Sequence, residues 1–333
     1  MPIVDSSFLP SLPFRKGHFN TIYGSLFRPL QRPSFQRQRY ELPDGDFIDV
    51  DWSKVGGSNL VIAVHGLEGS SSSRYIQGIT GAFNAVGWDV AAFHFRSCSG
   101  ELNRKLQSYH MGATGDLRWL IERIDAQMKY DTIIPIGYSL GGNVVLRYLA
   151  EEGSQIKATV RAGLAFSVPI DIPRANVSIN HWSNWLYLQK FLLSLNRKAK
   201  AKIRQFPEAG PLPPRMPRNF DEFDEWFTGP IHGYAGAMDY WTRCSSLPLL
   251  PDIRIPTLLV NAKDDSFLSP SCFPNQEARR SNNLFFEQPA YGGHCGFVQS
   301  SNDRWTYADR RAIQFLEEVL DLPQAGVKSL MIR

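Results

Sequence analysis

Residues 133–143 constrain this chain more than any other stretch. The apolar run Ile133-Ile134-Pro135-Ile136 ends in Gly137-Tyr138-Ser139-Leu140-Gly141, a G-x-S-x-G pattern, and a helix-compatible segment follows at 143–152. A strand that turns this sharply into a helix holds the serine at its apex in a strained backbone conformation. The residues two before and two after must then be small, and glycine supplies that room. The layout presents a serine hydroxyl as a nucleophile at the carboxyl end of a buried strand.

The flanking sequence reads as alternating strands and helices. Segments 37–42 and 46–52 alternate in character around Pro43-Asp44-Gly45, a hairpin signal. Leu60-Val61-Ile62-Ala63-Val64 is a continuous apolar run, as expected of a strand covered on both faces. Further strands are expected at 90–93, 163–168, 255–260 and 284–288. Helices are expected at 75–86, 114–129, 143–152 and 305–320; in the second, Leu117, Leu120, Ile121 and Ile124 share one face. The alternation predicts an α/β fold with a mostly parallel central sheet and helices on both faces. Residues 171–250 break the pattern. They contain no strand-like run, carry Trp182, Trp185, Tyr187, Phe191, Leu192 and Leu195 at helical spacing, and are rich in proline at 207–217. The chain thus divides into an irregular N-terminal arm (1–40), a core (41–170 and 251–322), a helical cap insertion (171–250) and a C-terminal tail (323–333). The arm is anchored by Phe8, Leu9, Leu12, Phe14 and Phe19.

Charge and cysteine content narrow the function. With 36 Lys and Arg against 32 Asp and Glu, the net charge of +4 is mild. Its densest basic group, Arg197, Lys198, Lys200, Lys202 and Arg204, reads as a solvated helix face, not a nucleic-acid patch. The four cysteines show no metal-ligand spacing, which predicts no metal and a reducing, cytoplasmic setting. The proline-broken start lacks a signal-peptide pattern, and no run reaches the ~18 apolar residues of a membrane span.

The nucleophile has candidate partners in the right chain order. Asp264 and Asp265 follow one later strand, and His294 follows the last. A serine hydroxyl is a poor nucleophile until a base takes its proton. Histidine, with an ordinary pKa of about 6.5, does so near neutrality, and a carboxylate fixes its tautomer. Residue chemistry leaves Asp264 and Asp265 nearly even. Two backbone N–H groups must stabilise the oxyanion. Leu140, after the nucleophile, is one. Leu67, in the turn His65-Gly66-Leu67-Glu68-Gly69, is the other. His65 reads as structural; His18, His94, His110, His181 and His232 as core or cleft-lining; Cys295 as packing. Phe220, Phe223, Trp226 and Phe227 read as cap core in preference to an acyl pocket.

Six motifs together resemble a known family. They are Gly17-His18-Phe19-Asn20-Thr21-Ile22-Tyr23, His65-Gly66-Leu67-Glu68-Gly69, Phe95-Arg96-Ser97-Cys98-Ser99-Gly100, Gly137-Tyr138-Ser139-Leu140-Gly141-Gly142-Asn143, Asn261-Ala262-Lys263-Asp264-Asp265 and Tyr291-Gly292-Gly293-His294. In this order they are similar to the YheT-type branch of the α/β-hydrolases, the AB hydrolase-4 family, over about residues 7–320. The resemblance implies the α/β-hydrolase fold and a capped serine hydrolase of carboxylic esters that needs no cofactor. Members are described as short-chain carboxylesterases, acylglycerol lipases or phospholipases. The family triad falls on Ser139, Asp265 and His294. One departure is visible: Ser266 stands where the family often has proline. The expected partner is a small ester or lipid. Rival readings are an acyltransferase, a non-catalytic acyl-binding module and a lipid-surface protein using the arm and cap. The H-x-x-x-x-D pattern tied to acyl transfer in some relatives is absent; Asp116 lies six positions after His110.

Overall fold

The computed structural model describes residues 3–29 and 32–320. The strands are β1 (Ile3–Val4), β2 (Gln36–Glu41), β3 (Phe47–Ser53), β4 (Asn59–Val64), β5 (Asp89–Phe93), β6 (Thr132–Tyr138), β7 (Gly163–Phe166), β8 (Thr257–Val260) and β9 (Leu284–Glu287). They form one sheet in the order β1-β9-β8-β7-β6-β4-β5-β3-β2. Only the β2–β3 and β3–β5 pairs are antiparallel. The helices are α1 (Gly17–Leu26), α2 (Arg74–Ala85), α3 (Gly115–Asp125), α4 (Leu140–Glu152), α5 (Ile172–Ile179), α6 (Trp185–Gln205), α7 (Phe220–Phe223), α8 (Gly229–Ile231), α9 (Ala237–Cys244), α10 (Asn275–Arg280) and α11 (Tyr307–Val319).

The uniformly apolar strands follow from a sheet covered twice. Along β4, Leu60, Ile62 and Val64 join one buried cluster with Leu120, Ile121 and Val144, while Val61 and Ala63 join the other with Ile76, Ile79 and Ile313. Alternate residues of a strand face opposite sides, so neither side admits polar groups. Strand order also gathers the loops that matter. Because β4 and β6 pair in parallel with Val64 opposite Gly137, the 65–69 turn and Ser139 leave the sheet side by side. The chain leaves β8 and β9 at the same edge, toward Asp265 and His294.

Between β7 and β8 the described residues form helices only: α5 to α9, with a π-helical turn at Asp224–Thr228. This interval has apolar clusters of its own, one around Leu188, Leu192, Phe223 and Ile231, another around Ile172, Tyr240 and Trp241.

Three expectations need correction. The arm is not irregular: it contributes β1, parallel to β9, and the ten-residue α1. A two-residue strand leaves no pattern to read, and α1 carries Gly17, Asn20, Thr21 and Gly24, poor helix formers held by tertiary contact. A Cβ on Gly24 would sit 2.9 Å from the Gly296 Cα. Nor is the basic group on α6 wholly solvated. Lys202 is buried and donates to the Asn103 and Lys105 carbonyls, and Lys198 pairs with Glu68. His181 is exposed, capping the turn at Ser183, and belongs neither to core nor cleft. The expected tail, 323–333, lies outside the described residues.

Candidate active site

Ser139 sits at the junction of β6 and α4 with φ +54° and ψ −120°, a strained conformation for a residue with a side chain. Its N–H donates to the Phe166 carbonyl at 2.9 Å, which ties the apex to β7. The flanking glycines are required by space. A Cβ on Gly141 would lie 2.4 Å from both the Val64 and His65 carbonyl oxygens, and one on Gly137 would lie 2.3 Å from the Gly141 carbonyl. Leu140 is the first residue of α4, so its N–H has no partner within the helix and lies at the positive end of the helix dipole.

The structure brings three sequence-predicted residues into one hydrogen-bonded line. His294 Nε2 lies 2.9 Å from Ser139 Oγ, and His294 Nδ1 lies 2.8 Å from Asp265 Oδ2. Nδ1–H donating to the carboxylate leaves Nε2 free to accept the serine proton. The His294 side chain is 11% exposed and that of Asp265 is fully buried. Burial pulls the His294 pKa down, but the Asp265 carboxylate, with a further part from Cys295, outweighs it and holds the imidazole above its ordinary value. The two aspartates differ plainly in position. Asp264 accepts from the Gly293 N–H at 2.8 Å and braces the loop that carries the histidine. Burial raises its pKa, and its Oδ2 has no partner.

Several residues around this line carried no chemical signal. Phe267 stacks on the His294 ring at 4.2 Å. Thr21 of α1 accepts from the His294 N–H at 2.8 Å, and Gly17 packs against the Asp264 carbonyl, where a Cβ would come within 2.1 Å. The arm therefore positions the histidine loop. Ser266, the departure from the family pattern, donates to Asn184 Oδ1 at 2.7 Å, while Asn184 Nδ2 donates to the Ser266 carbonyl at 2.8 Å. A proline there would lose the first of these bonds.

The turn after β4 is held from several sides. His65 is buried; burial pushes its pKa down to about 3, so the ring is neutral. Its Nε2 accepts from the Phe95 N–H at 3.2 Å and its Nδ1 donates to the Gly66 carbonyl at 2.7 Å. In that turn the Gly66 N–H donates to Tyr75 Oη, Glu68 N–H to Tyr109 Oη and Gly69 N–H to the Gly66 carbonyl. The Leu67 N–H has no such acceptor among the described residues. Glu68 has φ +54°, and its carboxylate accepts from Tyr109 Oη at 2.7 Å, from Lys198 Nζ at 2.8 Å and from Ser194 Oγ. Lys198 and Ser194 belong to α6, so the helical interval between β7 and β8 grips the turn directly.

A cavity of about 150 Å³ opens onto this line. Ser139, His294, Leu67 and Phe267 border it at the reacting end. Phe220, Phe223 and Phe227 line it, in addition to packing in the cap, while Trp226 does not. His110, His232 and Asp224 are polar members of the lining. Burial raises the Asp224 pKa to about 6, and its Oδ2 accepts from Trp241 Nε1 at 2.8 Å. Among the described residues no cluster of His, Cys, Asp and Glu is arranged to hold a metal ion.

Comparison with known proteins places this geometry in context. The sequence profile of the alpha/beta hydrolase fold matches residues 59–301. The chain is 34% identical to YheT of Escherichia coli (strain K12), a protein named for esterase activity, over 88% of this chain and 87% of that one. It is 26% identical to phospholipase ABHD3 of Homo sapiens over 96% of this chain and 81% of that one. The esterase Pf2001 of Pyrococcus furiosus shares the fold at a TM-score of 0.56 and 18% identity, covering 86% of this chain and 91% of that one.

Proposed function

The chain belongs to the α/β hydrolase fold family and is a carboxylic ester hydrolase, and we propose that it works through an acyl–serine intermediate on Ser139. The observation that carries this reading is the line Ser139–His294–Asp265, with contacts of 2.9 and 2.8 Å. Ser139 Oγ attacks the acyl carbon as His294 Nε2 takes its proton. The carbonyl oxygen becomes an oxyanion that accepts from the Leu67 and Leu140 N–H groups. Collapse of this intermediate breaks the bond to the alcohol, which leaves with the proton held on His294. Water then enters, gives a proton to His294 and attacks the acyl carbon. The second collapse returns that proton to Ser139 and releases the acid. Asp265 stays ionised and stabilises the imidazolium at both stages.

The largely hydrophobic, aromatic-lined cavity of about 150 Å³ supports a short- to medium-chain acyl group as the cavity-side substituent. Four unpaired cysteines are in keeping with a reducing, cytoplasmic setting. Among the described residues no helix is long and apolar enough to cross a membrane.

The test is hydrolysis of p-nitrophenyl esters from acetate to palmitate. We expect turnover that peaks at short to medium chains and falls at least about 10⁴-fold in Ser139→Ala. Fluorophosphonate should label the wild-type chain and not that variant. Turnover that survives Ser139→Ala would remove Ser139 from the reaction.

A further inference from the structure

Two long stretches of this chain contain no acidic residue. Residues 6–40 hold six Lys and Arg, and residues 172–207 hold seven, with no Asp or Glu in either, although the chain has 32 acidic residues. The same two stretches supply eleven of the fifteen large apolar side chains that are exposed among the described residues. In sequence they are 131 positions apart, from 41 to 171.

The fold brings them together at the catalytic mouth. His18 of α1 stacks at 5.8 Å on Tyr187 of α6, and its Nδ1 lies 3.3 Å from the Tyr187 hydroxyl. Tyr187 meets Phe267 edge-on at 5.1 Å, and Phe267 stacks on the His294 ring. Ile22 and Leu26, both exposed, lie one and two turns beyond His18 on one stripe of α1. On α6 the outward stripe runs Leu186, Lys190, Leu193, Arg197, Lys200 and Arg204, a helical repeat of exposed positions. Trp182 and Trp185 stand at its start. Trp182 is 80% exposed and Leu193 is 77% exposed.

The chemistry of this face selects its partner. Tryptophan and leucine at one end of a helix, lysine and arginine along it and no carboxylate on it are the features of a helix lying in the headgroup plane of a bilayer. Cations near an anionic leaflet add attraction that salt weakens. A second copy of the chain is disfavoured, because two acid-free cationic faces repel. The carboxylate bordering α5, Asp221, is occupied by the side-chain amides of Asn176 and Asn180 at 3.0 and 2.7 Å. We propose that α1 and the outward stripe of α6 dock this protein on an anionic phospholipid surface, with the catalytic mouth facing the lipid. The purpose of the docking, delivery of lipid esters, rests on the ester-hydrolase reading; the docking itself does not.

The test is flotation of the full chain carrying Ser139→Ala, so that no lipid is consumed. Vesicles of phosphatidylcholine alone are compared with vesicles of phosphatidylcholine and phosphatidylglycerol. Retention on the mixed vesicles, weaker retention on phosphatidylcholine and release by salt are expected. Trp182→Ser, Trp185→Ser and Leu186→Ser together should lower partitioning at least about tenfold. In the Ser139 background the same three changes should leave p-nitrophenyl acetate hydrolysis unaltered. Lys190→Glu, Arg197→Glu and Lys200→Glu, all on exposed positions that the fold tolerates, should abolish the preference for anionic vesicles. Equal flotation of the parent and both triple variants would overturn the proposal. So would no flotation at all, or a concentration-dependent dimer that the Trp182→Ser, Trp185→Ser and Leu186→Ser variant abolishes. A failed ester-hydrolase reading would appear in the soluble-ester assay and leave flotation intact.

Discussion

His294 is the residue whose surroundings decide most. In the proposed reaction it must be neutral to accept the Ser139 proton, so turnover should rise with pH as the imidazole loses its own proton. Burial opposes the charged ring, while Asp265 and, after it, Cys295 favour it and together prevail. The acid limb of kcat/KM should therefore lie above the ordinary histidine value of about 6.5. Asp265→Asn removes the opposing charge and leaves burial, so the limb should move down. Turnover should also fall about 10⁴-fold, because the wrong tautomer is no longer excluded. A pH series on both proteins checks this, and an acid limb that stays in place would mean that Asp265 does not set it. Asp264 shows why neighbouring carboxylates are not equivalent. Its oxygen meets a backbone N–H in the histidine loop, so its part is to hold geometry.

Among the elements, α6 does more than cover the cavity. Through Lys198 and Ser194 it holds Glu68, the residue after Leu67, in a left-handed conformation that the Tyr109 hydroxyl also clamps. If Leu67 N–H stabilises the oxyanion, loosening this contact should act on the transition state and not on substrate binding. Lys198→Met is expected to lower kcat by about 10- to 100-fold with KM little changed, and Lys198→Arg should recover most of the loss. A rise in KM at constant kcat would instead assign Lys198 to substrate binding. The helix α1 has a comparable duty toward the other side of the site, since Thr21 and Gly17 support the His294 loop.

For the whole molecule, the helical interval between β7 and β8 carries a stability cost that depends on pH. Asp224 is half-buried between α7 and α9, and loss of hydration there raises its pKa to about 6, above the ordinary aspartate value of about 3.9. The folded state therefore holds a proton that the unfolded chain releases earlier. The resulting stabilisation is complete below the unfolded pKa and is lost as pH rises through about 6. A raised pKa of this size corresponds to up to ~3 kcal/mol. Asp224→Asn keeps an acceptor for Trp241 Nε1 and removes the charge. It should raise the unfolding temperature clearly at pH 8 and little at pH 4, as read by thermal denaturation. An equal effect at both pH values would rule out titration of Asp224 as the cause.

Much of this was legible in one dimension because it depends on local pattern. Apolar runs covered on both faces announce β4 and β6, G-x-S-x-G announces the elbow, and the order serine, acid, histidine announces the hydrogen-bonded line. These signals survive in sequence because strand burial and the tight turn each act on residues close in the chain. The arm was misread because α1 is stabilised by contacts with the 264 and 296 regions and not by its own composition. The same reason hid Lys202, whose ammonium is satisfied by two carbonyls about 100 positions away. Residue chemistry left Asp264 and Asp265 open and the resemblance pointed to Asp265, the one that meets His294 at 2.8 Å; the grip of α6 on Glu68 and the meeting of two acid-free stretches came from tertiary structure alone. Each depends on the direction of a side chain or on the proximity of distant segments. Sequence determined which chemical groups the chain has and in what order; packing determined which of them meet.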